Sequence, residues 1–206
     1  MKLPGFTLVE MMIALSIFLI LMSMLVVVFK ATQEGFVRAS ALQKVFDTSR
    51  VIIERMHDEI RATFFDEQGR TSFLGIPAGG THLKSDSIGD EVFFCIPLSD
   101  LPDADIVEIG YWLRKDGNLM RHYDESGDFD FGTAEADDEL GLVIDNLTFR
   151  YFNGTEYQDS WDSRPGGAEE GKAPKAVKIS FSVTDKERFV TKQFESVVHI
   201  VTGKRY

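Results

Sequence analysis

The chain has 206 residues, 44% of them hydrophobic, and a net charge of −11, which suits one globular domain with an accessory segment. Such an acid excess argues against a nucleic-acid partner, because phosphate contacts need a basic face. Cys95 is the only cysteine, so no intrachain disulfide can form, and its apolar run Val92-Phe93-Phe94-Cys95-Ile96 reads as the setting of a buried, inert thiol.

From the N-terminus, residues 11–29 run without a charge, and only Ser16 and Ser23 are polar there. As a helix this stretch rises about 28 Å, close to the ~30 Å hydrocarbon core of a bilayer. A cleaved secretory signal would have a shorter apolar core followed by a small-residue cleavage site. Here the core runs straight into Lys30, Gln33, Glu34 and Arg38, and a Gly5–Phe6 junction lies before it instead. Glu10 is the anomaly, since an ionised carboxylate in hydrocarbon costs about 2.5–3.5 kcal/mol on insertion scales. Alone, it would read equally well as a residue seated among the lipid headgroups.

Its neighbours form a pattern. Gly5-Phe6-Thr7-Leu8-Val9-Glu10, behind a short leader containing Lys2 and ahead of a long apolar helix, resembles the class III leader of type IV pilins and pseudopilins. The resemblance implies that residues 1–5 are a leader cut after Gly5 by a prepilin peptidase on the cytoplasmic face, with N-methylation of the new terminus at Phe6. A short basic leader stays on the cytoplasmic side, so residues 6–29 would be the membrane-spanning half of a helix in the bacterial inner membrane. In a helical assembly Glu10 would be the contact that pairs with a neighbour's amine, offsetting the desolvation of both.

Residues 30–65 continue as a predicted amphipathic periplasmic helix, in which Gly35 alone interrupts good helix formers and would be the place for a bend. Leu42, Phe46, Ile53, Met56, Ile60 and Phe64 recur at threes and fours with Ser49 in the missing step, opposite Lys44, Asp47, Arg50, Glu54, Asp58 and Arg61. His57 lacks a Cys or His partner four residues away and reads as a surface histidine. Residues 66–90 carry loop signals. Strands are predicted at 91–96, at 106–114 and 119–123 around the turn Lys115-Asp116-Gly117-Asn118, and once or twice within 140–152. A turn at Asn153-Gly154 leads to 156–161, and a closing hairpin spans 176–184 and 189–202 around Asp185-Lys186-Glu187. The fold class expected is α+β: a pilin-like lollipop, with the long N-terminal helix packed on an antiparallel β head over 66–206.

The β region sharpens the resemblance. Ile109-Gly110-Tyr111-Trp112-Leu113-Arg114, then Asn118-Leu119-Met120-Arg121-His122, then the run from Asn146 through Tyr151 to Trp161, then Ala173-Pro174-Lys175-Ala176-Val177 is similar to the J-type minor pseudopilin of type II secretion systems. That implies a structural subunit near the tip of a periplasmic pseudopilus, partnered by the I- and K-type minor pseudopilins and priming assembly. Residues 126–139 depart from the pattern as an acidic insertion.

Other chemistry is sparse. Asp124, Asp128 and Asp130 crowd around Gly127 and are weak candidates for a hard cation, but the spacing misses the EF-hand register, and a solvated acidic loop accounts for it. No phosphate-binding glycine loop, His-Glu-x-x-His or Gly-x-Ser-x-Gly motif is present, so no catalytic residue and no cofactor are assigned. Trp112, Tyr151, Phe152 and Trp161 read as sheet packing rather than a binding face. A minor pilin of a type IV pilus or DNA-uptake system is the alternative, sharing leader and fold; a membrane-anchored periplasmic enzyme is the other class of reading.

Overall fold

The computed structural model describes residues 5, 7–65, 71–98, 106–128, 130–133, 137–185 and 190–200. The expected leader residues 1–4, Phe6 and most of the final turn around Lys186-Glu187 lie outside them. The chain divides into two compact units, Met1–Lys44 and Val45–Tyr206.

Helix α1, Leu8–Arg61, is a single element of 54 residues. Gly35 does not interrupt it. In the first unit every described side chain from residue 8 to residue 36 is exposed, and the hydroxyls are satisfied by the helix itself. Ser16 Oγ donates to Met12 O at 2.8 Å, Ser23 Oγ to Ile20 O at 2.8 Å and Thr32 Oγ1 to Val28 O at 2.9 Å. A helix so arranged presents no unpaired polar group along its apolar length.

In the second unit, residues 45–61 of α1 enter the core. The buried stripe is Val45, Ser49, Ile52, Met56 and Ile60, one residue round from the stripe read from the sequence. Leu42 and Ile53 are only half-buried and Phe46 is 51% exposed. Two apolar stripes overlap here and share Met56 and Ile60; the sheets select the one with the smaller Val45, and Phe46 is left to rest edge-on against Phe194 at 5.7 Å. The helix stops four residues short of Phe65. Thr63 N–H and Oγ1 both bond Ile60 O, and Phe64 N–H leaves the helix to donate to Cys95 O at 2.9 Å.

Among the described residues ten strands follow, all antiparallel: β1 Phe73–Ile76, β2 Glu91–Pro97, β3 Ile106–Leu113, β4 Asn118–Asp124, β5 Asp137–Val143, β6 Asn146–Phe152, β7 Tyr157–Gln158, β8 Trp161–Asp162, β9 Ala176–Asp185 and β10 Val190–His199. They form a six-stranded sheet ordered β5-β4-β3-β2-β1-β8 and a four-stranded sheet ordered β10-β9-β6-β7. The fold is α+β, as the sequence pattern indicates. Three features differ from it. β1 lies in the stretch read as loop, because four consecutive buried residues (Phe-Leu-Gly-Ile) show no alternation and the glycine looks like a breaker. Gly75 is required there: an added Cβ would lie 2.2 Å from the Tyr151 ring. β5 starts at Asp137, inside the expected acidic insertion. Residues 156–161 are not one strand: β7 ends one sheet and β8 begins the edge of the other, so the chain crosses between sheets within a few residues.

One face of the six-stranded sheet (Phe73, Val92, Phe94, Val107, Ile109, Tyr111) meets α1 residues 45–60 and the inner side of the four-stranded sheet (Leu147, Phe149, Tyr151, Val177, Ile179, Phe181) in the main core. The opposite face carries a smaller cluster of Leu74, Ile76, Phe93, Cys95 and Phe131.

Candidate functional site

The start of α1 is built by Thr7 and Glu10. Thr7 precedes the helix, and its carbonyl takes the first helical bond from Met11 N–H at 3.2 Å. Glu10, three residues on, accepts from Thr7 N–H at 2.9 Å and from Thr7 Oγ1–H at 3.0 Å, while Glu10 N–H donates back to Thr7 Oγ1 at 3.3 Å. This is a capping box, in which two otherwise orphaned N–H groups of the first turn are satisfied reciprocally. The carboxylate also lies where the positive end of the helix dipole favours it. Gly5 stands just before this turn, exposed and with open space where a Cβ would be. Phe6, the residue expected to carry the methyl group, lies outside the described residues. The partnership of Thr7 with Glu10 is absent from the sequence reading, although the spacing Thr-x-x-Glu ahead of an apolar run carries it.

In the second unit the last turns of α1 are tied to the six-stranded sheet by charge. Glu59 accepts from Arg121 Nη2 at 2.9 Å and from Tyr111 OH at 2.5 Å, and Arg121 lies over the Tyr123 ring at 4.5 Å. Burial first, and then the neighbouring Glu59 carboxylate, push the Tyr111 phenol well above its ordinary pKa. Asp90 accepts Ala78 N–H and Phe149 N–H, each at 2.8 Å, and so joins a loop to β6 at Phe149.

The smaller face of the six-stranded sheet is polar where the sequence gives no warning. Glu91, fully buried, accepts Leu83 N–H at 2.9 Å and Lys84 N–H at 3.2 Å, and His82 Nδ1 lies 3.1 Å from its Oε1. Lys84 Nζ then reaches Asp137 at 2.7 Å and Thr133 O at 3.0 Å, and lies 5.1 Å over the Trp112 ring. His122 is opposite Asp137 in the β4–β5 register. Residues 84, 122 and 137 meet only through sheet topology, which no motif spacing encodes.

The weak cation candidates do not converge. Asp124, Asp128 and Asp130 each turn back to accept the N–H two residues on, from Ser126, Asp130 and Gly132 at 2.7, 2.9 and 3.0 Å. The bond from Ser126 holds the Asp124 carboxyl below its ordinary pKa. Among the described residues no group of three or more His, Cys, Asp or Glu is placed to hold a metal ion. Trp112, Tyr151 and Trp161 are buried in the cores, and Phe152 packs on Tyr157 at 5.1 Å. Cys95 is fully buried, which pushes its thiol up to about 12 and leaves it unreactive. His57 is partly exposed beside Asp58.

Two family comparisons bear on these two regions. The type II secretion system protein J family matches residues 95–193, within the β unit. The prokaryotic N-terminal methylation motif matches residues 4–26, across the Thr7–Glu10 turn and the apolar helix that follows. Together the two matches cover more than half of the chain. No curated protein matches it.

Proposed function

We propose a membrane-to-tip role for this chain, which belongs to the type II secretion protein J family of minor pseudopilins. Members of this family are structural subunits that assemble with other pseudopilins. Within that role, residues 1–5 act as a leader, prepilin peptidase cuts between Gly5 and Phe6, and Phe6 becomes the methylated N-terminus. Residues 6–29 then anchor the subunit in the bacterial inner membrane, residues 30–65 continue into the periplasm, and the β-rich head joins a short pseudopilus near its tip. I- and K-type minor pseudopilins are the partners assigned to the head and to the exposed side of α1.

The observation that carries this reading is the joining of two matches on one chain. A methylation motif lies over a helix long and apolar enough to cross a membrane, and a protein J match lies over the antiparallel strands. Glu10 supports it chemically. Its capping bonds lie at the very tip of α1, beside the place where cleavage would create an amine. An ammonium from a neighbouring subunit is a stronger partner for a carboxylate than a neutral hydroxyl, so the residue can exchange its own cap for an intersubunit pair.

Intact mass of the full-length chain purified from a peptidase-positive host tests the processing. The expected mass is that of a chain beginning at Phe6 with a methylated terminus; retention of residues 1–5 overturns it. Co-purification of the full chain in detergent with I- and K-type subunits tests the partners, with a ternary complex expected and its absence decisive against them.

A further inference from the structure

His122 occupies a position that assembly does not explain. It is fully buried on the smaller face of the six-stranded sheet. Its Nδ1 lies 2.9 Å from Asp137 Oδ1 and 3.5 Å from Lys84 Nζ. A carboxylate already held by an ammonium can only accept, so Nδ1 carries the imidazole proton. Nε2 is then a bare lone pair, buried and without a hydrogen-bond partner among the described residues. Phe93 and Phe131 pack edge-on against the ring at 6.2 and 6.4 Å, and they stack on each other at 5.2 Å. Phe131, only 3% exposed, is thereby docked on the sheet beside Leu74, Ile76 and Cys95.

We propose that His122 is an acid-sensitive latch, whose protonation undocks Phe131 and Asp137 from this face and uncovers the apolar cluster beneath. The balance of charges sets the direction. Lys84 comes from the loop before β2, Asp137 from β5, Asp124 from the same strand as His122, Glu108 from β3, and Glu91 with His82 from the adjoining end of the face. Glu91 is committed to two backbone N–H groups. Asp124 is committed to Ser126 N–H. Asp137, with Oδ1 2.9 Å from Nδ1, is the carboxylate in contact with the ring, and Lys84 already uses both of its oxygens. A proton on Nε2 creates a second cation beside the Lys84 ammonium, in a setting where the aromatic edges offer no acceptor. Either Asp137 lets go of Lys84 or the ring leaves the pocket, and both loosen what covers the face.

Burial most of all, opposed by the Asp137 bond and reinforced by Lys84, holds the His122 pKa below its ordinary value. The docked form thus resists a proton that the undocked form takes up. Docking is unaffected above the ordinary histidine pKa of about 6.5, and weakens as pH falls below it, by up to about tenfold per pH unit for one proton.

Hydrogen exchange on the full chain in detergent micelles at pH 7.5 and 5.5, with times scaled for intrinsic exchange, tests the latch. Amides 131–133 and 137–139 are expected to exchange about tenfold faster relative to that baseline at pH 5.5, while β9 and β10 stay protected. In His122→Phe, whose ring fits the aromatic slot and cannot charge, the difference should vanish; His122→Gln serves if that variant fails to fold. Equal protection at both pH values, an acid response that survives in the variant, or loss of β9–β10 protection in step would each overturn the proposal. Should neither variant fold, an NMR titration of the natural chain decides. His122 and Phe131 signals moving together support the latch, and His122 titrating while Phe131 stays fixed, or not titrating above pH 4, refutes it.

Discussion

The two ends of α1 solve the same problem in opposite ways. Glu10 is satisfied by its own helical turn, through Thr7 three residues back. Glu59 is satisfied across the fold, by Tyr111 and Arg121, 52 and 62 residues onward. A local partner is present whenever the turn is helical and can be given up for a better one at little structural cost. A tertiary partner exists only in the folded unit, and removing it strands a charge in the interior. The contrast fits the role proposed for this chain, in which the helix tip would change partners on assembly and the head would keep its shape.

Breaking the local side should cost assembly and leave the fold alone. Glu10→Val is expected to insert into the membrane normally, yet to be lost from the sheared pseudopilus fraction, with the head's thermal midpoint unchanged. Unaltered incorporation would remove the pairing role assigned to Glu10. Breaking the tertiary side should do the reverse. Arg121→Met leaves Glu59 half-paired against the sheet and should lower head stability by about 3 kcal/mol in urea titration. Asp90→Asn turns an amide N–H toward one of two backbone donors and should cost about 2 kcal/mol by the same measurement; a change near zero would mean that the junction between loop and β6 is solvated. The smallest effect is expected of Thr7→Val. It removes only the hydroxyl of the cap, so amide exchange should quicken in the first turn of α1 alone, with Glu10 still able to pair in the assembly.

Much of this was legible in the sequence. The apolar run, its single carboxylate and the hairpin around Asp116-Gly117 declare themselves through composition, spacing and turn chemistry, all of them local. Gly117 adopts the left-handed conformation at φ 86° that such a turn requires. What stayed hidden depends on distant partners. Phe46 fits the stripe read from the sequence, but the sheets bury its neighbour Val45 instead. β1 has no period because both of its faces are buried. The Lys84–Asp137–His122 group joins a loop, an edge strand and an inner strand, and nothing in the order of residues announces it.

The passage of the chain from β7 to β8 has a mechanical meaning. It takes the edge of one sheet and sews it to the edge of the other. Trp161, in β8, sends its Nε1–H to Lys172 O at 2.9 Å, and Ser163 Oγ receives Phe73 N–H at 2.7 Å, so the β8 end of the seam is fastened to β1 and to the loop that follows. Two sheets stitched in this way cannot peel apart one strand at a time from that side. A pull on the head would have to rip the seam before either sheet unravels, and the head should therefore yield all at once or not at all.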